Sequence, residues 1–132
     1  MCKTGDIIFI KEFKSHGKII SSHSFIVISD DNGEVEGLSY DFACNMLSSF
    51  KSEEQKERKL SYPGNYEIKN TDTVTNPDNG KDGFVKADQL YLFNKDKIDY
   101  VTIGTVMSDV MDSLLKFINN GEFGIEQITD NL

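Results

Sequence analysis

The chain has 132 residues, with 14 lysine or arginine residues against 22 aspartate or glutamate residues, and a formal net charge of −8 at pH 7. This acidic balance argues against a protein that binds nucleic acid through a broad basic surface. The length predicts one domain with a substantial core. Since no apolar run approaches the roughly 18 residues of a membrane span, we expect no membrane contact.

The N-terminus predicts a cytoplasmic protein, because the apolar run Ile7 to Ile10 is too short for a signal peptide and is followed by charged residues. In a reducing compartment Cys2 and Cys44 are expected to be free thiols, with Cys44 in the core. The spacing of the cysteines and histidines does not match a metal site, so neither a metal nor a cofactor is predicted.

The first third of the chain predicts a meander of three strands. Ile7 to Ile10 and Ser24 to Ser29 are typical of buried strands, and the polar stretch Lys11 to Ser22 between them predicts a long loop. Asn32-Gly33 is a strong hairpin dipeptide. The alternating stretch Glu34 to Ser39 is therefore expected to form a third strand paired with the second.

Residues 40–60 predict a helical insertion. Phe42, Ala43, Met46, Leu47 and Phe50 recur with the spacing of one helix face, and the charged stretch that follows contains good helix formers. Arg58 is the only arginine in the chain and is expected to be a solvated helix residue. After a turn at Tyr62-Pro63-Gly64, residues 66–69 predict a short strand and residues 71–83 a loop.

The last third predicts more strands and one strong helix. Strands are expected at residues 84–86, 89–94 and 100–106, and an amphipathic helix at 106–120, with Ser108 as its N-cap and Gly121 as its stop. A polar tail follows. The fold class predicted is mainly β, α+β: a small, partly open antiparallel β-barrel with an inserted helix and a C-terminal helix.

Several stretches resemble, in order, the toxins of the MazF/PemK superfamily and their ToxN-like relatives. Gly5-Asp6-Ile7-Ile8-Phe9 is similar to the opening of that family, and Ser22 to Ser29 to its second strand. Asp82 to Lys95 resembles its late strand pair, and Ile103-Gly104-Thr105-Val106 with the helix behind it resembles its C-terminal part. The resemblance covers most of the chain.

This resemblance implies a small SH3-like barrel that forms a homodimer and has an antitoxin partner, protein or RNA. It also implies metal-independent cleavage of single-stranded RNA, in which the 2′-hydroxyl attacks the adjacent phosphate and leaves a 2′,3′-cyclic phosphate. That chemistry needs proton transfer at the two oxygens and donors on the phosphoryl group. The C-terminal helix is equally explained by core packing or by a dimer contact.

The resemblance also assigns candidate site residues. The family's catalytic arginine falls on His23, its following proline on Ser24, and its Thr or Ser at the end of the third strand on Ser39. His23 is suited to proton transfer near neutral pH, although it lacks the bidentate guanidinium fork. The catalytic candidates are thus His23 and Ser39, the latter as a donor. The candidates for substrate binding are Ser22, Ser24, Lys18 and His16.

Two functions fit these residues. One is an endoribonuclease toxin with His23 as acid or base and the Lys11–Ser22 loop as a gate over the RNA groove. The other is a non-catalytic barrel of the same fold that binds RNA, a peptide or an antitoxin. The absent arginine and the acidic balance favour the second, and the polar cluster Ser22-His23-Ser24 favours the first.

Overall fold

The computed structural model describes residues 2–75 and 81–132, and in these residues the chain is mainly β. The two α-helices of the described residues are α1, Glu53–Leu60, and α2, Ser108–Asn120, and short 3₁₀ turns occur at Asn70–Asp72 and Lys95–Lys97. The strands are β1 Asp6–Ser15, β2 Lys18–Ser29, β3 Gly33–Val35, β4 Leu38–Tyr40, β5 Phe42–Ser49, β6 Asn65–Ile68, β7 Thr73–Thr75, β8 Gly83–Phe93, β9 Tyr100–Val106 and β10 Glu126–Ile128.

One large sheet organises the molecule. Its strand order is β10-β8-β5-β2-β1-β9-β7, and β6 pairs with β8 as well. The pairs are antiparallel except for β10 with β8, which is parallel. The sheet is barrel-like but does not close within the described residues. The predicted α+β class, with an antiparallel sheet and two helices, is confirmed.

The C-terminal half of the central strand β2 is buried on both faces, which explains its continuous apolar run. Phe25 and Val27 pack into a largely aromatic cluster that Ile128 of the C-terminal segment covers. Ile26, on the other face, belongs to a second cluster that α2 covers with Leu114. The predicted core strand is therefore confirmed, and it is longer than expected at its N-terminal end.

The predicted loop over Lys11–Ser22 is wrong. These residues extend β1 and β2 into one long hairpin that turns at His16 and Gly17, whose φ angles are +52° and +76°. Positive φ at both central residues gives a two-residue turn whose twist matches that of the strands. Because Phe13 is buried while its neighbours are polar and exposed, the hairpin has the composition of a loop but the alternation of a strand.

The predicted pairing of Glu34–Ser39 with β2 is also wrong. Two strands are present, but β3 and β4 pair only with each other in the described residues and turn at Glu36 and Gly37. Asn32-Gly33 is not the turn of this hairpin. Gly33 lies instead against the ring of Tyr40, where a Cβ atom would be 2.6 Å from the hydroxyl oxygen.

The helix predicted over residues 40–60 is wrong in its first half and confirmed in its second. β5 lies between β2 and β8, so apolar side chains on both of its faces are buried and imitate a helical pattern. Register shifts along both of its pairings disturb the regular alternation. α1 begins after Ser52, whose hydroxyl accepts a hydrogen bond from the Gln55 backbone N–H at 3.1 Å.

The C-terminal third largely matches the prediction. The turn at residues 62–64, the strand β9 and the helix α2 are confirmed, although Met107 rather than Ser108 is the N-cap. The two strands predicted within residues 84–94 are one strand, β8. The predicted loop over residues 71–83 contains β7, its centre at residues 76–80 lies outside the described part of the chain, and the predicted tail contains β10.

Both cysteines are unpaired and Cys44 is in the core, as predicted, and Cys2 is buried as well. Burial raises the pKa of the Cys2 and Cys44 thiols above their ordinary 9.0. Burial likewise raises the pKa of the Tyr91 and Tyr100 hydroxyls above 10.0. All four groups therefore hold their protons more tightly in the folded chain. Among the described residues no helix is long and apolar enough to cross a membrane.

These four groups predict an alkaline loss of stability. The unfolded chain releases their protons at lower pH than the folded chain does, so the free energy of unfolding is expected to fall as the pH rises above about 9. Thermal melting followed by circular dichroism across this range measures the effect. Cys44→Ala should lower the melting temperature but flatten its alkaline dependence. A melting temperature that stays constant to about pH 10.5 would contradict this account.

Candidate functional site

His23 lies on β2 opposite Ile10 of β1, half-buried, with its ring edge-on to Phe13 at a centroid distance of 5.7 Å. Its Nδ1 atom is 2.9 Å from the carbonyl oxygen of Ser21. A carbonyl oxygen accepts hydrogen bonds and cannot donate them, so Nδ1 carries the proton in the neutral ring. The lone pair is then on Nε2, and the backbone fixes the tautomer that a general base requires.

An open groove of about 660 Å³ begins at His23. The end of β5, the segment before α1, α1 itself and the start of β8 form its walls, and we call it the His23 groove. Among the described residues its lining includes Lys51, Lys59 and Lys81 and no acidic side chain. The charge in this groove is therefore opposite in sign to the −8 of the whole chain.

Two aromatic rings form part of the groove. Phe50 and Phe84 stack with centroids 5.3 Å apart and an interplanar angle of 27°. The Lys59 Nζ atom lies 5.9 Å from the Phe84 centroid, close enough for a cation–π interaction. Lys56, above Phe50, is engaged by Glu67 at 3.1 Å, and this contact raises the Lys56 pKa. The groove thus combines ammonium groups with apolar ring surface.

Long-range strand pairing builds this site. β5 pairs with β8 in a register that sets Ser48 opposite Phe84, and with β2 in a register that sets Leu47 opposite Ser24. His23 precedes Ser24 on β2. The histidine therefore lies at the same end of the sheet as the paired residues Ser48 and Phe84. Sequence reasoning missed Lys51, Lys59 and Lys81 as site residues because it placed the first two on a solvated helix and the third in a loop.

The two serines beside His23 are placed differently from each other. Ser22 is exposed on β2. Ser24 is half-buried and lines a narrow crevice of about 30 Å³ that shares Ser48, Ser49 and Lys81 with the His23 groove. Neither serine lines the groove itself. Of the predicted donors, Ser24 is therefore the one that the fold keeps next to the site.

Ser39 is not brought to His23. It lies exposed on β4, opposite Glu34, in the separate two-stranded hairpin. Because Ser29 of β2 pairs with Ala43 of β5, the β3–β4 hairpin is at the far end of β2 from His23. The five steps along the strand from Ser24 to Ser29 alone span about 17 Å.

His16 and Lys18 lie at the tip of the β1–β2 hairpin, also away from the groove. His16 Nε2 is 2.8 Å from a Glu126 carboxylate oxygen, and its Nδ1 is 3.2 Å from the Ser15 hydroxyl. Lys18 is exposed opposite Ser15. Five steps along the extended strand, about 17 Å, separate Lys18 from His23.

The C-terminal segment holds this hairpin tip in place. The Asn131 amide accepts from the Lys14 N–H at 2.7 Å and donates to the Lys14 carbonyl at 2.9 Å. Asp130 accepts from the Gly17 N–H at 2.8 Å. The prediction that Lys11–Ser22 gates the groove is therefore wrong, because a hydrogen-bonded hairpin clamped at its tip replaces the free loop.

Across residues 2–75 and 81–132, no three His, Cys, Asp or Glu side chains are grouped so that they could hold a metal ion. Comparison of the chain with protein-family models, with curated proteins and with solved structures gives no significant match. The functional interpretation therefore rests on the His23 groove and on the resemblance of the sequence segments described above.

Proposed function

We propose that this protein is the toxin of a cytoplasmic toxin–antitoxin pair, a metal-independent endoribonuclease that binds single-stranded RNA in the His23 groove. The observation that carries the proposal is an imidazole whose Nδ1–H is held by the Ser21 carbonyl and whose Nε2 is left basic, at the head of a groove lined by lysines. The MazF/PemK resemblance, which assigns the catalytic position to His23, supports it independently.

In the proposed reaction His23 Nε2 takes the proton of the 2′-hydroxyl, and the 2′-oxygen attacks the adjacent phosphorus. The bond from phosphorus to the 5′-oxygen breaks, which leaves a 2′,3′-cyclic phosphate and a 5′-hydroxyl. The ammonium groups of Lys51 and Lys59 neutralise the phosphoryl oxygens, and one of them supplies the proton to the leaving oxygen. This lysine pair takes the place of the arginine that the family uses.

Single-stranded RNA matches the groove in charge and in the chemistry of its lining. Binding sites for single strands combine a positive groove for the backbone with apolar ring surface for the bases. The three lysines provide the first, and the partly exposed Phe50, stacked on the buried Phe84, provides the second on an otherwise acidic protein. A confined positive site of this kind selects a strand that enters the groove rather than any nucleic acid that meets the surface.

A second candidate function is binding without cleavage, of RNA or of an antitoxin. Its support is the distance of Ser39 and His16 from His23, which leaves the lysines as the ionisable acids beside His23 in the described groove lining. An ordinary lysine ammonium is a weaker acid than an imidazolium. A homodimer and an antitoxin partner belong to the proposal through the resemblance.

Cleavage in the presence of EDTA tests the proposal. Purified protein is incubated with a mixed-sequence single-stranded RNA, and the product ends are analysed. We expect fragments with 2′,3′-cyclic phosphate and 5′-hydroxyl ends, together with arrested growth when the protein is expressed in a bacterium. Intact RNA that nevertheless binds the groove would establish the second candidate, and RNA that neither binds nor is cut would refute both.

The lysines of the groove are expected to govern the salt dependence of RNA affinity. Lys51→Gln with Lys59→Gln should weaken binding of a single-stranded oligonucleotide and reduce the slope of log affinity against log salt by about 0.7 for each lysine. Fluorescence anisotropy at several salt concentrations measures this. The matched control is Lys95→Gln with Lys116→Gln, two exposed lysines outside the groove. An equal loss of RNA affinity in both double variants would refute a binding site localised to the groove.

A further inference from the structure

A second pocket adjoins the His23 groove. It has a volume of about 280 Å³ and lies between the end of α1, the turn at residues 62–64, β8 and the segment after α2. Lys59 lines both the groove and this pocket, so the two are neighbours along one surface. Its volume is close to the lower limit of about 300 Å³ for ligand pockets, which suits one nucleobase.

The pocket contains an acceptor without a donor. Asp88 lines it, and the buried Oδ1 atom of this carboxylate has no hydrogen-bond partner among the described residues. Gly64 packs directly against the same side chain, since a Cβ atom at Gly64 would lie 2.8 Å from Asp88 Oδ2. Buried polar atoms are normally paired, so an unpaired carboxylate oxygen beside a pocket points to a donor that arrives with a ligand.

Aromatic and cationic side chains surround this carboxylate. Tyr62 is half-exposed at 51% and offers a ring face. Phe123 is partly buried and is held by Phe117 at a ring distance of 5.4 Å. Lys59 and Lys86 line the pocket as well. Unpaired bases are recognised by this combination of ring stacking and polar contacts to the base edge.

We propose that this pocket is a base-recognition subsite that selects a guanine of the RNA strand lying in the His23 groove. The inference rests on the proposed RNA binding and adds the chemical identity of one nucleotide. The guanine edge carries two adjacent donors, N1–H and N2–H, and the carboxylate of Asp88 is the acceptor that the pocket lining offers to them. The neighbouring O6 acceptor matches an ammonium of Lys59 or Lys86, and the base plane stacks on Tyr62.

The same arrangement discriminates against the other purine. Adenine places an acceptor, N1, where guanine has a donor, and a donor, N6, where guanine has O6. In the pocket it would set N1 against a carboxylate and its amino group against an ammonium. A site built around a hydrogen bond rejects an analogue that leaves its buried polar groups unpaired. Inosine lacks the N2 amino group and should fall between the two.

Binding of matched oligonucleotides tests the subsite. The probes are single-stranded uridine oligomers without 2′-hydroxyls, which bind without being cleaved and carry one guanine, hypoxanthine or adenine nucleotide at the same position, and fluorescence anisotropy gives their affinities. Wild-type protein is expected to bind the guanosine probe about tenfold more tightly than the adenosine probe. Asp88→Asn should remove this preference. Tyr62→Ala should weaken binding of the guanosine probe more than it weakens binding of an oligomer of uridine alone.

The control is Asp112→Asn, which makes the same change on the exposed face of α2 and should keep the preference. Equal affinity of wild-type protein for the guanosine and adenosine probes would overturn the subsite and leave the RNA groove standing. A preference that survives in Asp88→Asn would also overturn it. Failure of wild-type protein to bind any probe would overturn both the subsite and the proposed function.

Discussion

His23→Ala is expected to lower the rate of RNA cleavage by about 100-fold or more. Alanine removes the Nε2 lone pair, and in the described groove lining no second imidazole or carboxylate can take the proton of the 2′-hydroxyl. RNA affinity should change little, because the lysines that hold the strand remain. Single-turnover cleavage at saturating protein, together with anisotropy of an uncleaved 2′-deoxy analogue, separates the two effects.

The chain offers a matched control for this variant. His16→Ala removes the other histidine, which lies at the clamped hairpin tip and contacts Glu126 rather than the groove. It should retain the cleavage rate. If His16→Ala lost as much activity as His23→Ala, the assignment of proton transfer to the groove would be wrong. Equal losses of cleavage and of RNA affinity in His23→Ala would instead indicate a binding role.

The second large effect concerns stability. Phe25→Ala is expected to lower the free energy of unfolding by about 3–5 kcal/mol, the usual cost of removing a buried phenylalanine. Phe25 is 0% exposed and makes edge contacts with three rings, those of Phe13 at 5.0 Å, Tyr91 at 5.1 Å and Phe93 at 5.3 Å. Urea unfolding followed by circular dichroism measures the change.

The control for Phe25→Ala is Ile19→Ala, on the same strand but 66% exposed. Surface substitutions of this kind usually alter stability by less than about 0.5 kcal/mol. A similar loss of unfolding free energy in both variants would show that strand formation rather than the aromatic cluster determines stability. Phe13 contacts both Phe25 and His23, so Phe25→Ala is also expected to lower activity by displacing the His23 ring.

The sequence correctly predicts the elements whose spacing of apolar residues fits only one type of secondary structure. β2 and β9 are rich in β-branched residues between polar boundaries, and α2 shows one apolar face over three turns before Gly121. The same reasoning wrongly predicts a helix for β5. Both of its faces are buried, so its apolar residues are as dense as those of a helix, and only its partners β2 and β8 identify it as a strand.

The long hairpin was mispredicted for a different reason. In its distal half only Phe13, Ser15 and Ile20 turn towards the core, so most side chains there are polar and exposed. Its turn is His16-Gly17 rather than a common dipeptide such as Asn-Gly. The alternation around Phe13 and Ile20 is the signal that identifies it as strand. The clamp from Asn131 joins residues 117 positions apart, and local sequence carries no sign of it.

The site was predictable only in part. The sequence singles out His23 because it precedes an apolar strand and because the resemblance to the MazF/PemK toxins places their catalytic position there. The rest of the groove depends on tertiary structure, since Lys51 and Lys59 reach it only because β5, α1 and β8 meet at that end of the sheet. The resemblance assigns Ser39 as the end of a third strand beside β2, and β4, which carries it, belongs to a separate hairpin instead.

The imidazole NMR signals of the two histidines test the central claim most directly, because the chain has only these two and their environments differ. The protein is titrated with a single-stranded oligonucleotide whose 2′-hydroxyls are absent, so that it binds without being cleaved. The account predicts that the ring signals of His23 shift on binding, with Nδ1 protonated, while those of His16 remain unchanged. Shifts confined to His16, or binding that moves neither ring, would contradict it.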